Sequence, residues 1–353
     1  YTNPVTRDTG ISMRDHYIIK VGDRWYCTGT SNPVWTGHNP GVRLLVSDDL
    51  INWKQHSWLI DASRLPAGCP YNGRFWAPEI HYIQNRYWLT VNSGRVTEED
   101  PKGMSTHSIW LFVSDSVTGP YSLVNGPLTP QYNNDATLFE DSDGQTYLYC
   151  SGNGLFQAKI DLPSGRITGN VQKFLDKREP GYPDWMVGGI EGPYVIKREG
   201  TYFMFFSSWT RGYEVGLLKS SSPLGPWELV SREPIFGTRK KAYRPELAIS
   251  GGYSDLEFQG NEDPYCETGH NALFEGPDGK LWYTGYGSNK IVRLDTNGVG
   301  TEFTMPTAAS APRSIVAGAD GNLWFTENSG NKIGRITTSG VITEFNLPSA
   351  ASG

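Results

Sequence analysis

The sequence predicts an all-β chain: a five-bladed β-propeller with an additional partial blade at the C-terminus. Three observations carry this expectation. Aromatic residues make up 13% of the 353 residues and are accompanied by 41 Gly and 23 Pro; aromatics suit strands, whereas Gly and Pro punctuate turns. A Gly or Asn turn followed by a short aromatic strand recurs along the chain. Charged residues are only 19%, and the composition lacks the Ala, Glu, Lys and Leu excess of long helices.

The recurring strand can be followed in order. It appears as Gly22-Asp23-Arg24-Trp25-Tyr26-Cys27, then as Asn85-Arg86-Tyr87-Trp88-Leu89-Thr90. It returns as Asp143-Gly144-Gln145-Thr146-Tyr147-Leu148 and as Glu199-Gly200-Thr201-Tyr202-Phe203-Met204. Apolar runs at 17–21, 80–83 and 194–197 precede several copies, and two such runs around a tight turn make a hairpin. Ser-rich turns leading to an aromatic follow, at 47–53, 114–121 and 221–227, and read as the entry to an outer strand. The unit is therefore about four strands, recurring roughly every 60 residues, which is the mark of propeller blades around a channel.

The period then shortens. Asp278-Gly279-Lys280-Leu281-Trp282 and Asp320-Gly321-Asn322-Leu323-Trp324 begin two copies of a closely matched repeat. Asn289-Lys290-Ile291 returns as Asn331-Lys332-Ile333, and Thr301-Glu302-Phe303 as Thr343-Glu344-Phe345. We expect residues 1–311 to form the five-bladed domain, with blade five from about 265 built from the first short repeat. Residues 312–353 would be an additional repeat.

The bulk composition excludes several functions. A net charge of −6 argues against a broad nucleic-acid-binding face. No run of 18 apolar residues occurs, so no membrane-spanning helix is expected. The chain starts at Tyr1 without the basic and apolar regions of a signal peptide, which favours a processed, secreted or periplasmic chain. A monomer is expected. Cys27 and Cys150 lie in apolar strand-like runs and read as buried thiols, whereas Cys69 and Cys266 lie in loop-like stretches and could pair. None has the spacing of a zinc site.

A propeller channel gathers residues from the innermost strand of each blade. Asp15, Asp135 and Glu191 each stand at or just before such a strand, in blades one, three and four, and read as occupying equivalent register. Acids in such places often only cap turns. Three around one channel suit glycoside hydrolysis, where one carboxyl donates a proton to the leaving oxygen and another activates water. A third can hold the acid protonated by like-charge repulsion. Trp35, Phe75, Trp76 and Trp185 are candidate platforms for the apolar face of a sugar, with blade packing as the competing role. Arg244 could bind a sugar hydroxyl or the Glu191 region, in competition with Arg239.

The order Arg14-Asp15, Phe75-Trp76-Ala77-Pro78-Glu79, Asn134-Asp135, Glu191-Gly192-Pro193 and Gly269-His270-Asn271 resembles glycoside hydrolase family 43 over 11–272. That resemblance implies a five-bladed propeller and an inverting enzyme acting on oligo- or polysaccharide, of α-L-arabinofuranosidase or β-xylosidase type. Asp15 would be the general base, Glu191 the general acid, and Asp135 the group that raises and orients the acid. His16 stands where the family commonly has Pro. The resemblance also places His270 at the channel, facing a metal ion or water cluster; no cofactor is required for the chemistry, and a Ca²⁺ ion near His270 would be structural or electrostatic. Residues 275–353 are similar to the repeats of streptogramin B (virginiamycin B) lyase-like propellers. The tail has no His, so that family's metal-and-His chemistry is not expected. A carbohydrate-binding propeller without catalysis is the competing function.

Overall fold

The computed structural model describes residues 13–33, 39–48, 52–101, 103–129, 133–176, 181–210, 213–235, 241–243, 253–255, 278, 280–285, 289–294, 300–310, 312–318, 320–327 and 330–347. The chain divides into two compact units, Thr2–Ser254 with Glu267–Ala272, and Asp255–Cys266 with Leu273–Gly353.

The first unit holds four blades, each a four-stranded antiparallel sheet in sequential order. Blade one comprises β1 (Met13–Val21), β2 (Arg24–Ser31), β3 (Gly41–Ser47) and β4 (Lys54–Asp61). Blade two comprises β5 (Gly73–Ile83), β6 (Arg86–Gly94), β7 (Ser108–Ser114) and β8 (Ser122–Asn125). Blade three comprises β9 (Asn134–Glu140), β10 (Thr146–Gly152), β11 (Gly154–Asp161) and β12 (Arg166–Leu175). Blade four comprises β13 (Ile190–Arg198), β14 (Thr201–Ser208), β15 (Glu214–Ser220) and β16 (Glu228–Leu229). The short strands β17 (Lys241–Tyr243) and β18 (Tyr253–Asp255) pair with one another.

The turns expected between first and second strands form as read. Gln84 and Asn85 both take left-handed φ, 51° and 59°, as do Glu199 and Gly200, 46° and 80°. Two consecutive left-handed residues form one of the two-residue hairpin turns whose twist matches that of the flanking strands.

Consecutive blades are held by apolar layers. Val42 and Leu44 of blade one pack with Phe75, Ile80, Leu89 and Trp110 of blade two. Trp88, Ile109 and Leu111 of blade two pack with Leu138, Leu148 and Ile160 of blade three. Tyr149 and Leu155 of blade three pack with Trp185, Met204 and Phe206 at blade four. Alternation along each strand sends one face of every blade into one layer and the other face into the next. Each large side chain so buried contributes about 1.5–3 kcal/mol. The thiols of Cys27 and Cys150 are buried, as expected, and so is Cys69; Cys266 lies outside the described residues.

The second unit contains a three-stranded sheet, β19 (Leu281–Gly285), β20 (Lys290–Leu294) and β21 (Gly300–Thr304). A four-stranded sheet follows, β22 (Pro312–Ala317), β23 (Leu323–Glu327), β24 (Lys332–Ile336) and β25 (Ile342–Asn346). The two sheets share one core, in which Trp282, Ile291 and Met305 meet Leu323, Phe325 and Ile336. The matching repeats therefore pack as neighbours within one unit.

Candidate active site

The inner strand of every blade in the first unit carries the same irregularity. The β1–β2 ladder shifts between Arg14 and Tyr17, the β5–β6 ladder between Trp76 and Glu79, and the β13–β14 ladder between Glu191 and Tyr194. The β9–β10 ladder shifts between Tyr149 and Ser151, opposite 134–137. These are bulges, and at each of them one residue is left-handed: Asp15 (φ 53°), Ala77 (43°), Asp135 (51°) and Gly192 (59°). Three of the four have a side chain, and left-handed backbone is costly for such residues unless the surroundings enforce it. A bulge re-aims the side chain it carries.

The pairing corrects the expected register. Arg14, Trp76, Asn134 and Glu191 are equivalent, being the last paired residues before the bulge. Asp15 and Asp135 are equivalent to each other and to Gly192. Glu191 is thus one residue earlier than the two aspartates, because blade four spends the left-handed position on Gly192. The bulge also explains His16. Pro78 and Pro193 follow the left-handed residue in blades two and four, and the bulge forms in blade one with His16 in that place.

The three acids converge. Asp15 is largely buried; its Oδ1 accepts from Arg14 Nε at 3.1 Å and its Oδ2 from the Thr30 hydroxyl at 2.6 Å. Asp135 Oδ2 accepts from Ser151 Oγ at 3.2 Å and from the backbone N–H of Gly192, the neighbour of Glu191, at 3.2 Å. Glu191 Oε1 accepts from the Tyr213 hydroxyl at 2.6 Å. Burial first, and then the charges of Glu191, Asp15 and Asp135, push the Tyr213 hydroxyl well above its ordinary range. One hydroxyl thus lies within electrostatic reach of all three carboxylates. Burial pulls Arg14 down, but Asp15, Tyr213 and Glu191 together outweigh it and hold its guanidinium charged.

A second polar layer follows the bulges. Tyr17, Glu79 and Tyr194 are equivalent in the ladders of blades one, two and four. His81 Nε2 lies 3.0 Å from Glu79 Oε2, and the Tyr17 hydroxyl lies 3.3 Å from His81 Nδ1. The rings of Tyr17 and Tyr194 are 6.3 Å apart. Inner strands of three blades therefore meet around one axis.

The aromatic platforms fare differently. Phe75 is 0% exposed and belongs to the layer between blades one and two. Trp185 is also 0% exposed, stacks on Phe206 at 5.7 Å, and spends its indole N–H on the Arg232 carbonyl. Neither ring offers a face to a sugar, so both are corrected to core residues. The slot for Trp185 and Phe206 exists because position 216 is Gly: a Cβ there would come within 2.3 Å of Phe206 and 2.6 Å of Trp185. Trp76 is buried as well, between the His107 ring at 4.8 Å and the Arg74 guanidinium at 5.2 Å, and stands at the ladder position of Glu191. Trp35, Arg239, Arg244 and His270 lie outside the described residues. Among the described residues no group of three or more His, Cys, Asp or Glu is arranged to hold a metal ion, and no helix is long and apolar enough to cross a membrane.

Arg14, Thr30 and Tyr213 were not singled out as site residues by sequence reasoning. Arg14 adjoins an acid that was. Thr30 had a legible signal, a second Thr two places after Thr28 and so on the same face of β2. Tyr213 had none, because it reaches Glu191 from the residue just before a different strand, β15.

A β-propeller whose inner strands bring three carboxylates to one end of the channel defines the class. The model of the glycosyl hydrolases family 43 matches residues 1–303, and that of the virginiamycin B lyase family matches residues 254–353. The chain belongs to glycosyl hydrolase family 43. It is 26% identical over 263 residues to a xylan 1,3-beta-xylosidase from a Vibrio species, covering 70% of this chain and 46% of that protein. It is 24% identical over 311 residues to a putative beta-xylosidase from Escherichia coli K12, covering 83% and 50%. The chain thus spans about half the length of these relatives. Among solved structures, a thermostable family-43 glycoside hydrolase superposes with a TM-score of 0.58 at 24% identity, covering 99% of this chain and 98% of that one.

Proposed function

We propose that the protein is an inverting glycoside hydrolase that removes terminal or side-chain sugars from plant polysaccharide. The convergence of Asp15, Asp135 and Glu191 around Tyr213 carries the reading. Asp15, with donors on both oxygens, stays ionised and takes a proton from water as that water attacks the anomeric carbon. Glu191 gives its proton to the glycosidic oxygen as the bond to the leaving group breaks. Asp135 holds the N–H of Gly192, and so fixes the backbone beside the acid while its charge disfavours ionisation of Glu191.

The names of the two relatives favour a β-xyloside, with an arabinofuranoside as the second choice. The family match running to residue 303 supports reading the stretch from about 265 to 311 as the fifth repeat of the glycosidase. We further propose that the protein acts as a secreted or periplasmic monomer on oligo- or polysaccharide. Any calcium ion bound beside His270 would be structural or electrostatic, and the proton transfers belong to the carboxyl groups alone.

Aryl β-xylosides and α-L-arabinofuranosides, followed by release of the phenol, test the reading. Asp15→Asn and Glu191→Gln should each lower kcat by about 10²–10⁴-fold with folding intact. The first-formed sugar should have the opposite anomeric configuration by proton NMR. Full activity in Glu191→Gln would remove Glu191 as the general acid, whereas saccharide binding without turnover by the unmodified protein would overturn the reading in favour of a carbohydrate-binding propeller.

A further inference from the structure

One ladder position recurs on the second strands of the four blades. Thr30 pairs with Arg14, Asn92 with Trp76, Ser151 with Asn134 and Ser207 with Glu191. All four are polar, and all are buried to 2% exposure or less. A polar side chain so placed is unfavourable unless its hydrogen bonds are made. Here three of them are made to the acid-bearing bulges. Thr30 donates to Asp15, Ser151 to Asp135 at 3.2 Å, and Asn92 to Asn134 at 2.6 Å and to Asp135 at 3.5 Å.

Thr30 is the most constrained of the set. Its Oγ1 accepts the backbone N–H of Ala77 at 2.8 Å and lies 2.6 Å from Asp15 Oδ2. An N–H can only donate, so Ala77 occupies a lone pair of the hydroxyl. The hydroxyl proton is given to Asp15 Oδ2 while Arg14 Nε donates to Oδ1, so both carboxyl oxygens accept, an arrangement that favours the ionised form. Asp15 and Ala77 are also the left-handed residues of adjacent bulges, so this one hydroxyl ties the bulge of blade one to that of blade two.

We propose that Thr30 is a positioning residue for the reaction, whose hydroxyl aims the Asp15 carboxylate and holds it ionised, the state in which it accepts a proton from water. Asn92 and Ser151 hold the equivalent positions in blades two and three, where Ser151 Oγ lies 3.2 Å from both the Asn134 carbonyl and Asp135 Oδ2 and Asn92 donates chiefly to Asn134 Oδ1. The inference rests on the glycosidase reading and extends it to side chains that do not themselves meet the substrate.

The test compares Thr30→Val, Thr30→Ala and Thr30→Ser, with Asp15→Asn alongside, on an aryl β-xyloside or α-L-arabinofuranoside that the unmodified protein cleaves. Val keeps the shape and loses the hydroxyl. Ala and Ser differ from each other in the hydroxyl alone, so their ratio stands even if Val perturbs folding. Loss of one hydrogen bond to a charged group predicts a fall in kcat of about ten- to hundredfold in Val and Ala, with little change in KM. The acid limb of the kcat/KM profile, which reports the free enzyme's base, should move to higher pH, since a donor that favours the ionised form has gone. Thr30→Ser should recover most of both effects. Equal kcat and equal acid limbs in Ala and Ser would overturn the role of Thr30 and leave the glycosidase reading standing. Full activity in Asp15→Asn would instead remove Asp15 as the base, and with it the role of Thr30.

Discussion

Tyr213 enters the site from outside the inner strands, just before β15, and places its hydroxyl 2.6 Å from Glu191 Oε1. Burial, then the three surrounding acids, hold that hydroxyl protonated far beyond neutral pH. It therefore always has a proton to offer, and offering it favours the ionised form of Glu191. Removing it in Tyr213→Phe should raise the affinity of Glu191 for its own proton. The alkaline limb of the pH–rate profile, where a general acid is lost, should move to higher pH, and kcat at its optimum should fall because the acid is less firmly aimed. An unchanged alkaline limb would show that Tyr213 does not act on Glu191. Left-handed backbone at Asp15 and Asp135 belongs to the same scale. Neither residue would choose that conformation alone, and the hydrogen bonds from Thr30, Ser151 and Gly192 are part of what holds it.

At the scale of elements, the bulge and the inter-blade layer do different work with neighbouring residues of one motif. Phe75 and Trp76 adjoin in β5, and alternation sends them to opposite faces. Phe75 enters the layer with Val42, Leu44 and Ile80, whereas Trp76 sits at the bulge beside Arg74 and His107. Phe75→Ala should therefore destabilise the first unit by about 3–5 kcal/mol, read from urea unfolding, while KM stays near its original value wherever the protein remains folded. A variant of unchanged stability and raised KM would return Phe75 to a sugar platform. The blades themselves were legible because each hairpin repeats a turn and an aromatic strand. The acids were legible too, since they stand where inner strands begin. Which aromatic faces a sugar and which a neighbouring blade was not. Phe75 and Trp185 look like loop and edge aromatics in the sequence, and their burial depends on partners such as Val42 and Gly216, which lie far away along the chain. The one-residue offset of Glu191 was equally hidden, because a bulge is visible only against its pairing strand.

At the scale of the whole molecule, His107 in the first unit and Glu327 in the second should contribute to stability in opposite senses as the pH changes. In the first unit, burial lowers His107 to about 4 from its ordinary 6.5. Its folded state favours the neutral ring, so the unfolded chain takes up more protons as the pH falls below 6.5. Stability is present above that value and is lost down to about pH 4, by on the order of 3 kcal/mol. His107→Leu should flatten this acid slope in urea unfolding between pH 4 and 7; an identical slope would exclude His107 as its origin. In the second unit, burial, with repulsion from Glu344, raises Glu327 to about 7 from 4.5. Its contribution is present below pH 4.5 and is lost as the pH rises through 7. Amide exchange of 281–346, corrected for its intrinsic pH dependence, should show weakening protection over that window and a flat response in Glu327→Gln. Protection that is constant across the window in the unmodified protein would contradict this.

The sequence by itself determined the strand-and-turn repeat, and with it the all-β propeller class, because those depend on local rules: left-handed turn residues, alternation, and aromatic strands of similar length. It also determined that Asp15, Asp135 and Glu191 stand at inner strands, since each precedes an apolar run. Only the tertiary structure decided the register among those acids, the donors Thr30 and Tyr213 that reach them, and the burial of Phe75 and Trp185. Each of these is a contact between residues distant in the chain, and its energy depends on geometry that no local pattern encodes.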